Sequence, residues 1–197
     1  MVLKILPVTS SELEKIAEQY GTPFHLYDEA GIVKSAQEMY GAFDRLKGFQ
    51  NFFAVKALPN PHILQILARY RMGADCSSVP EIHLAQMAGI EPRNLMFTSN
   101  NTSDQAFHEA SFAGATINLD DITFIEALKR AAGDLPETLC FRYNPGAERA
   151  GVDSVIGQPV EAKYGLTRPQ IFEALEKARS FGVKNFGLHT MVASNER

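Results

Sequence analysis

A lysine at the end of an apolar run is the residue of this sequence best suited to covalent chemistry. The run Phe52-Phe53-Ala54-Val55 is typical of a buried strand, Lys56 follows it directly, and Pro59 prevents the strand from continuing. Burial at the end of a core strand favours the neutral amine, and a neutral amine attacks a carbonyl carbon to form a Schiff base. The sequence therefore predicts carbonyl chemistry at Lys56, the alternative being a lysine that only extends into solvent.

Polar residues also stand at the ends of the later apolar runs. They are Asp75, the segment 98–101, Asn118, Arg142, and His189 with Thr190. Strand ends of a parallel barrel gather on one face, so we expect these residues near Lys56. Asp75 could instead be a helix N-terminal carboxylate, and His189 a core histidine. Arg142, inside an apolar strand, requires an anionic partner, for which Glu81 is the candidate.

The elements that must position these residues recur at a nearly constant period. Apolar runs begin every 21 or 22 residues, near Asn51, Gly73, Leu95, Thr116 and Thr138. Helical patterns lie between them, at 62–71, 79–88, 104–113 and 121–132. This alternation predicts an α/β fold with a parallel sheet. The even spacing favours a (β/α)₈ TIM-type barrel, although a doubly wound open sheet produces the same alternation.

The N-terminal part precedes this repeating pattern. Ser10 or Ser11 is predicted to cap a helix that extends to Gln19, and residues 24–27 alternate like a short strand. A second helix is predicted over 29–46. We therefore expect an N-terminal segment, residues 1–28, and a partial barrel over residues 29–197.

The C-terminal part departs from the period. Residues 144–166 are rich in glycine and are predicted to form a long loop on the face where strands end. A helix over 168–181 and a sixth strand over 184–189 follow. Six strands cannot close an eight-stranded barrel. The expectation is the first part of a longer protein, or a fragment whose open side a partner covers.

Composition and charge exclude several classes of function. The chain has 45% hydrophobic and 21% charged residues, and its net charge of −4 comes from interspersed acidic and basic residues. Without a basic block, neither nucleic acid nor a membrane surface is expected as a partner. Cys76 and Cys140 lie in apolar runs outside any metal-binding pattern, which indicates buried thiols and no metal. No apolar run reaches the roughly 18 residues of a membrane span, and we expect a cytoplasmic protein.

Several segments carry a resemblance to a known family. They are Phe53–Asn60, Gly73–Ser78, Arg142–Gly146, Lys163–Leu166 and Gly187–His189, with Gly21–Asp28 as an opening segment. In this order and spacing the sequence resembles the pyridoxal-phosphate-dependent decarboxylases of the alanine-racemase fold type. Within them it is most similar to diaminopimelate decarboxylases, with ornithine and carboxynorspermidine decarboxylases as neighbours. The resemblance covers nearly the whole chain.

The resemblance implies that pyridoxal 5'-phosphate is the cofactor and places six residues around it. They are Lys56, Asp75, Arg142, His189, Met191 and Ser194. Lys56 would hold the cofactor covalently and be released when the substrate amine takes its place. Glu81 would orient Arg142, and Ser194 would approach the phosphate. The bound cofactor would withdraw electrons from the bond between Cα and the carboxylate of an amino acid.

Two departures from the family pattern stand out. The usual His-x-His-x-Gly-Ser reads here from His189 to Ser194, with Met191 in place of the second histidine and Ala193 in place of the glycine. A thioether can pack against the cofactor ring but cannot carry a proton. In addition, the family's glycine-rich phosphate loop, the glutamate that faces the pyridine nitrogen and the cysteine-bearing motif would lie after Arg197.

The function expected from the resemblance is decarboxylation of meso-2,6-diaminopimelate to L-lysine, in lysine biosynthesis. The full-length protein would be a homodimer with shared active sites. A rival from another class is a non-catalytic fragment or homologue that binds a partner chain. A carboxynorspermidine or ornithine decarboxylase, a racemase, or a small pyridoxal-phosphate carrier of the same fold would also account for these motifs.

Overall fold

The structure is a computed structural model that describes residues 6–145 and 164–191. It divides into two compact units, Met1–Lys47 and Gly48–Arg197. The predicted boundary between residues 28 and 29 stays a prediction. Among the helices of the described ranges, none is both long enough and apolar enough to span a membrane.

The first unit contains two helices, α1 (Ser10–Tyr20) and α2 (Glu29–Ala42). Thr9, not Ser10 or Ser11, caps α1, because its hydroxyl accepts from the Glu12 amide while the Glu12 carboxylate accepts from the Thr9 amide. The predicted strand at 24–27 is wrong, since these residues pair with no other strand of the described chain. Alternating side chains make a strand only where a partner backbone satisfies the ladder.

The second unit contains a six-stranded parallel sheet. Its strands are β1 (Phe52–Ala54), β2 (Gly73–Cys76), β3 (Leu95–Ser99), β4 (Thr116–Leu119), β5 (Thr138–Tyr143) and β6 (Asn185–Thr190). Its helices are α3 (Pro61–Arg69), α4 (Val79–Met87), α5 (Asp104–Phe112), α6 (Phe124–Ala132) and α7 (Arg168–Ser180). Each strand begins within one residue of its predicted start, so the prediction of a repeated strand–helix unit is confirmed.

Strand order distinguishes the two folds that the sequence left open. The six strands follow one another across the sheet in chain order, from β1 to β6, and every neighbouring pair is parallel. A doubly wound sheet reverses its direction of winding at a switch point, whereas a barrel adds each strand beside the one before it. The unit is therefore part of a TIM-type barrel, and in the described residues β1 and β6 are its two edges.

The core lies between the sheet and the helices. Phe97, Ile117 and Phe141 on the strands are fully buried, as is Phe107 on α5, whose ring packs edge-to-face on Phe124 at 5.6 Å between centroids. Both cysteines are free and buried, as predicted. Burial raises the pKa of the Cys76 thiol to about 12, which keeps it protonated and unreactive.

Close packing between β5 and β6 depends on a glycine. Gly187 lies in register with Cys140, and a Cβ built on Gly187 would overlap the Cys140 sulfur. Because Cys140 is buried, its side chain has little room to move away. A methyl group at position 187 would therefore overpack this part of the sheet.

We expect Gly187→Ala to lower the free energy of unfolding by about 1–3 kcal/mol, the usual range for an overpacked core. Urea denaturation measures the change. Adding Cys140→Ala should recover part of the loss, which a double-mutant cycle detects. Gly41→Ala is the matched control, because a Cβ there meets no atom within 4 Å. An unchanged urea midpoint for Gly187→Ala would contradict the packing argument.

Candidate active site

A cavity of about 240 Å³ lies where the strands of the second unit end. Eight residues singled out from the sequence line it: Lys56, Asp75, Thr98, Ser99, Asn100, Arg142, His189 and Met191. Ser77 and Tyr164 complete the described lining. Ser194 lies outside the described residues. The cavity thus gathers an amine, a carboxylate, a guanidinium and an imidazole from segments that are far apart in sequence.

Lys56 occupies a 3₁₀ turn, Val55–Ala57, between β1 and α3. The strand ends at Ala54, one residue before the predicted end at Val55, and the turn places Val55 in the core. Lys56 then points the other way and is exposed, so the expectation of a desolvated amine is wrong for this structure. The amine is held at the cavity and is accessible to a small molecule.

Asp75 is a half-buried carboxylate on β2 that is incompletely hydrogen-bonded. Its Oδ1 atom is buried and has no partner in the described structure. Burial raises the pKa of Asp75, and the Thr98 hydroxyl and the Lys56 charge only partly oppose this effect. The sequence left open that Asp75 is the carboxylate at the N-terminus of α4. Glu81 has this role instead, since it accepts hydrogen bonds from the Ser77 amide and the Ser78 hydroxyl, both at 2.9 Å.

Arg142 forms a buried ion pair with Asp120. Its Nη1 donates to Asp120 Oδ1 at 3.0 Å, and the two side chains are 8% and 3% exposed. The predicted pairing of Arg142 with Glu81 is therefore wrong. Asp120 can pair with Arg142 because it directly follows β4, and β4 lies beside β5. Glu81 lies instead in the first turn of α4. Two charges this deeply buried stabilise each other, and removing either one leaves an unpaired charge.

The Asp120 carboxylate also anchors the segment 164–166. Asp120 Oδ2 accepts from the Gly165 amide at 3.3 Å, and the Leu166 amide donates to the Arg142 carbonyl at 2.7 Å. Gly165 has a φ of +80°, and a Cβ there would lie 2.9 Å from the Arg142 carbonyl oxygen. These contacts hold the Tyr164 ring under the Arg142 guanidinium, 4.6 Å from the ring centroid.

His189 is held in one tautomer by Asn118. The Asn118 side-chain amide lies 2.9 Å from His189 Nδ1. With the amide nitrogen as donor, Nδ1 accepts and the proton of the neutral ring lies on Nε2. Burial and the charge of Arg142 lower the pKa of His189, so the ring is neutral at pH 7. Asn118 Oδ1 is buried and, like Asp75 Oδ1, has no partner within the described residues.

Sequence reasoning missed Asp120 and Tyr164 as members of the site. Asp120 follows β4 immediately, so reading the first residue after each strand would have identified it. Tyr164 lies in the segment predicted as a long loop, and its position depends on hydrogen bonds between 164–166 and the end of β5. No local pattern in the sequence signals those bonds.

The side chains that line the site are suited to binding a polar organic molecule. Among the described residues, no three His, Cys, Asp or Glu side chains are grouped so as to hold a metal. Lys56 offers an amine for a carbonyl group, Asp75 offers an acceptor for N–H or O–H groups, and His189 offers a donor. A molecule with a carbonyl group and further hydrogen-bonding groups could contact these three side chains together.

Residues 29–197 match the family described as "Pyridoxal-dependent decarboxylase, pyridoxal binding domain". Among curated relatives, protein TabA of Pseudomonas amygdali pv. tabaci is 36% identical over 184 residues, which are 93% of this chain and 42% of TabA. Diaminopimelate decarboxylase of Thermoplasma acidophilum is 28% identical over 96% of this chain and 46% of its own length. The chain thus spans less than half the length of these relatives.

Solved structures have the same architecture. Diaminopimelate decarboxylase from Helicobacter pylori, complexed with L-lysine, superposes with a TM-score of 0.80 at 26% sequence identity. The superposition covers 92% of this chain and 47% of the Helicobacter chain. The likeness supports the barrel architecture that the strand order indicates.

The raised pKa of Asp75 predicts the sign of a pH effect. A carboxyl whose pKa is higher in the folded state than in the unfolded state destabilises the fold above that folded pKa, and the penalty disappears below the ordinary value of 3.8. We therefore expect Asp75→Asn to raise the unfolding temperature at pH 7, by an amount that shrinks as the pH falls towards 4. Thermal unfolding measured by circular dichroism across this range tests the expectation.

Asp104→Asn is the matched control with the opposite sign. The exposed Asp104 carboxylate accepts two hydrogen bonds from Arg130, which lower its pKa. Its replacement should leave the unfolding temperature at pH 7 unchanged or slightly lower. A lower unfolding temperature for Asp75→Asn at pH 7 would contradict the assignment of Asp75 as a destabilising carboxylate.

Proposed function

Because this chain belongs to the pyridoxal-dependent decarboxylase family, we propose that it forms the cofactor-binding part of an enzyme that converts meso-2,6-diaminopimelate to L-lysine. The observation that carries the proposal is the placement of Lys56 at one cavity with Asp75, Arg142 and His189. An accessible amine can bind an aldehyde cofactor covalently, and the carboxylate, guanidinium and neutral imidazole beside it can bind the polar groups of that cofactor.

The cavity fits pyridoxal phosphate in three respects. Lys56 supplies the amine to which its aldehyde can bind covalently, and the exposure of this side chain allows the aldehyde to reach it. Asp75, in the cavity lining, has a buried Oδ1 that needs a donor, which a polar ring or a substrate amine can provide. Met191, at the same cavity, can pack its thioether on a ring face. The contact of Ser194 with the phosphate remains a prediction.

When bound, pyridoxal phosphate withdraws electrons from the bond between Cα and the carboxylate of an amino acid, which allows carbon dioxide to leave. The Asp75 carboxylate can attract the positively charged amino group of the substrate. His189 Nε2 can donate a hydrogen bond into the cavity, because Asn118 occupies Nδ1. Asp120 fixes the Arg142 guanidinium and compensates its charge, so that its remaining N–H groups keep one orientation.

The choice of diaminopimelate rests on relatives of that name, which match almost the whole chain. TabA, at 36% identity, has a name that states no substrate, and the second candidate is therefore a decarboxylase of the same family that acts on another amino acid. We also propose that the full-length protein is a homodimer with shared active sites, acts in the cytoplasm and serves lysine biosynthesis. Support for these points is the family resemblance.

We expect Lys56 to be the residue that captures the cofactor. The full-length protein is mixed with pyridoxal phosphate, reduced with borohydride, digested and analysed by mass spectrometry. The label should lie on the peptide that contains Lys56, and Lys56→Ala should lower labelling at least about tenfold, because it removes the only amine at the described cavity lining. Lys34→Ala, at a side chain that is 76% exposed on α2, is the control and should label normally. Undiminished labelling of Lys56→Ala would remove Lys56 from the mechanism.

Carbon dioxide release identifies the reaction and its substrate. Full-length protein supplied with pyridoxal phosphate should release carbon dioxide from meso-diaminopimelate and form L-lysine, and Lys56→Ala should reduce the rate by about 1,000-fold or more. Ornithine and carboxynorspermidine serve as competing substrates. Release from either of these but not from diaminopimelate would overturn the proposed substrate. Exchange of the Cα proton without carbon dioxide release would indicate a racemase.

A further inference from the structure

A second cavity, of about 480 Å³, lies at the opposite ends of the strands from the candidate active site. Met72 and Asn94, which line it, immediately precede β2 and β3. Its floor is apolar, because Met72 and Ile90 are both buried. Arg71 and Arg93 are exposed at its rim. The family resemblance and the proposed decarboxylation assign no role to this cavity.

Arg71 has a backbone conformation that is unusual for its residue type. Its φ is +64°, and among the described residues it is the only non-glycine residue with a positive φ. L-residues other than glycine and asparagine rarely adopt this left-handed region, because Cβ approaches the backbone. Such an outlier points to a function that outweighs the strain.

Equivalent positions of the same fold show what stability alone favours. After α3, the Arg71 amide donates to the Ala68 carbonyl and the Met72 amide donates to the Leu67 carbonyl. The helices α4, α5 and α7 end with the same two hydrogen bonds, and the residue with positive φ is then Gly89, Gly114 or Gly182. A Cβ at Gly89 or Gly182 would meet no atom within 4 Å. Glycine is therefore preferred there for its backbone conformation and not for lack of space.

The side chain of Arg71 is the feature that distinguishes the α3 terminus from these three. Gln50 Nε2 donates to the Arg71 carbonyl at 2.5 Å, which fixes the residue to the segment that leads into β1. The Arg71 side chain lines the cavity with Arg93, whose Nε pairs with Glu91 at 2.7 Å. Two guanidinium groups and one carboxylate thus surround an apolar floor, and the rim has a net positive charge.

We propose that this cavity binds a small organic oxyanion with a short apolar chain, and that Arg71 is its principal ligand. The planar guanidinium donates two parallel hydrogen bonds to a carboxylate or a phosphate, which suits it to this role. Met72 and Ile90 accommodate the apolar chain. A glycine at position 71 would be more stable in the left-handed conformation but could not bind the anion.

Binding is tested by isothermal titration calorimetry on the full-length protein with n-butyl phosphate, hexanoate and inorganic phosphate. Butyl phosphate or hexanoate should bind at least about tenfold more tightly than inorganic phosphate, because only they reach the apolar floor. The comparison of these two probes identifies the preferred head group. Arg71→Gly should weaken binding at least about tenfold. Arg69→Gln, at an exposed position on α3 outside the cavity lining, is the charge-matched control and should change binding less than about twofold.

The same variants separate a binding role from a structural one. Arg71→Gly should raise the unfolding temperature by about 2–4 °C while it loses binding, because glycine removes the strain. Arg71→Asn, which tolerates positive φ but has no charge, should also lose binding and provides the test if the glycine variant fails to fold. Arg71→Lys should retain weak binding. Failure of all three probes to bind at about 10 mM, or full binding by Arg71→Gly, would overturn the proposal. A lower unfolding temperature for Arg71→Gly would overturn its strain argument.

Discussion

The buried ion pair between Asp120 and Arg142 is the interaction on which the candidate active site depends. Neither charge is stable in this environment alone, so each fixes the position of the other. The pair joins the ends of β4 and β5, and its second carboxylate oxygen holds Gly165, which brings Tyr164 against the guanidinium. The charge of Arg142 also helps to keep His189 neutral. The pair thus fixes the geometry of one side of the cavity, while burial is the main cause of the lowered pKa of His189.

Two buried polar side chains on the strands of the second unit are incompletely hydrogen-bonded. Asp75 and Asn118 each keep a buried oxygen without a partner among the described residues, although buried polar atoms in folded proteins are usually hydrogen-bonded. Lys56, by contrast, is exposed and held by a short turn. An arrangement of unsatisfied acceptors beside an accessible amine is unfavourable for the stability of the protein alone and favourable for binding a ligand. The second cavity shows the same relation at Arg71, where a strained backbone carries a charged side chain.

Much of the fold could be predicted because its signals are local. Each apolar run is bounded by Gly, Asn or Pro. The constant spacing of the runs predicted the starts of the first five strands to within one residue, and the apolar segment 184–189 predicted the start of the sixth as closely. Prediction failed at residues 24–27, where alternation has no partner strand, and at the end of α2, which stops at Ala42 rather than at residue 46. Periodicity reports which face of an element is apolar, but pairing and helix termination depend on neighbours that periodicity does not identify.

By itself the sequence determined the repeated strand–helix unit, the presence of Lys56 after the first strand, and the convergence of Asp75, Arg142 and His189 on one face. These follow from residue type and spacing, because parallel strands carry their ends to a common edge. Only the tertiary structure decided that the barrel order is sequential, that Asp120 rather than Glu81 pairs with Arg142, and that Asn118 sets the tautomer of His189. The physical reason is sequence separation: the contacts of Asp120 with Arg142, of Asp120 with Gly165 and of Asn118 with His189 span 22, 45 and 71 residues. Strand register sets such contacts, and no local pattern encodes them.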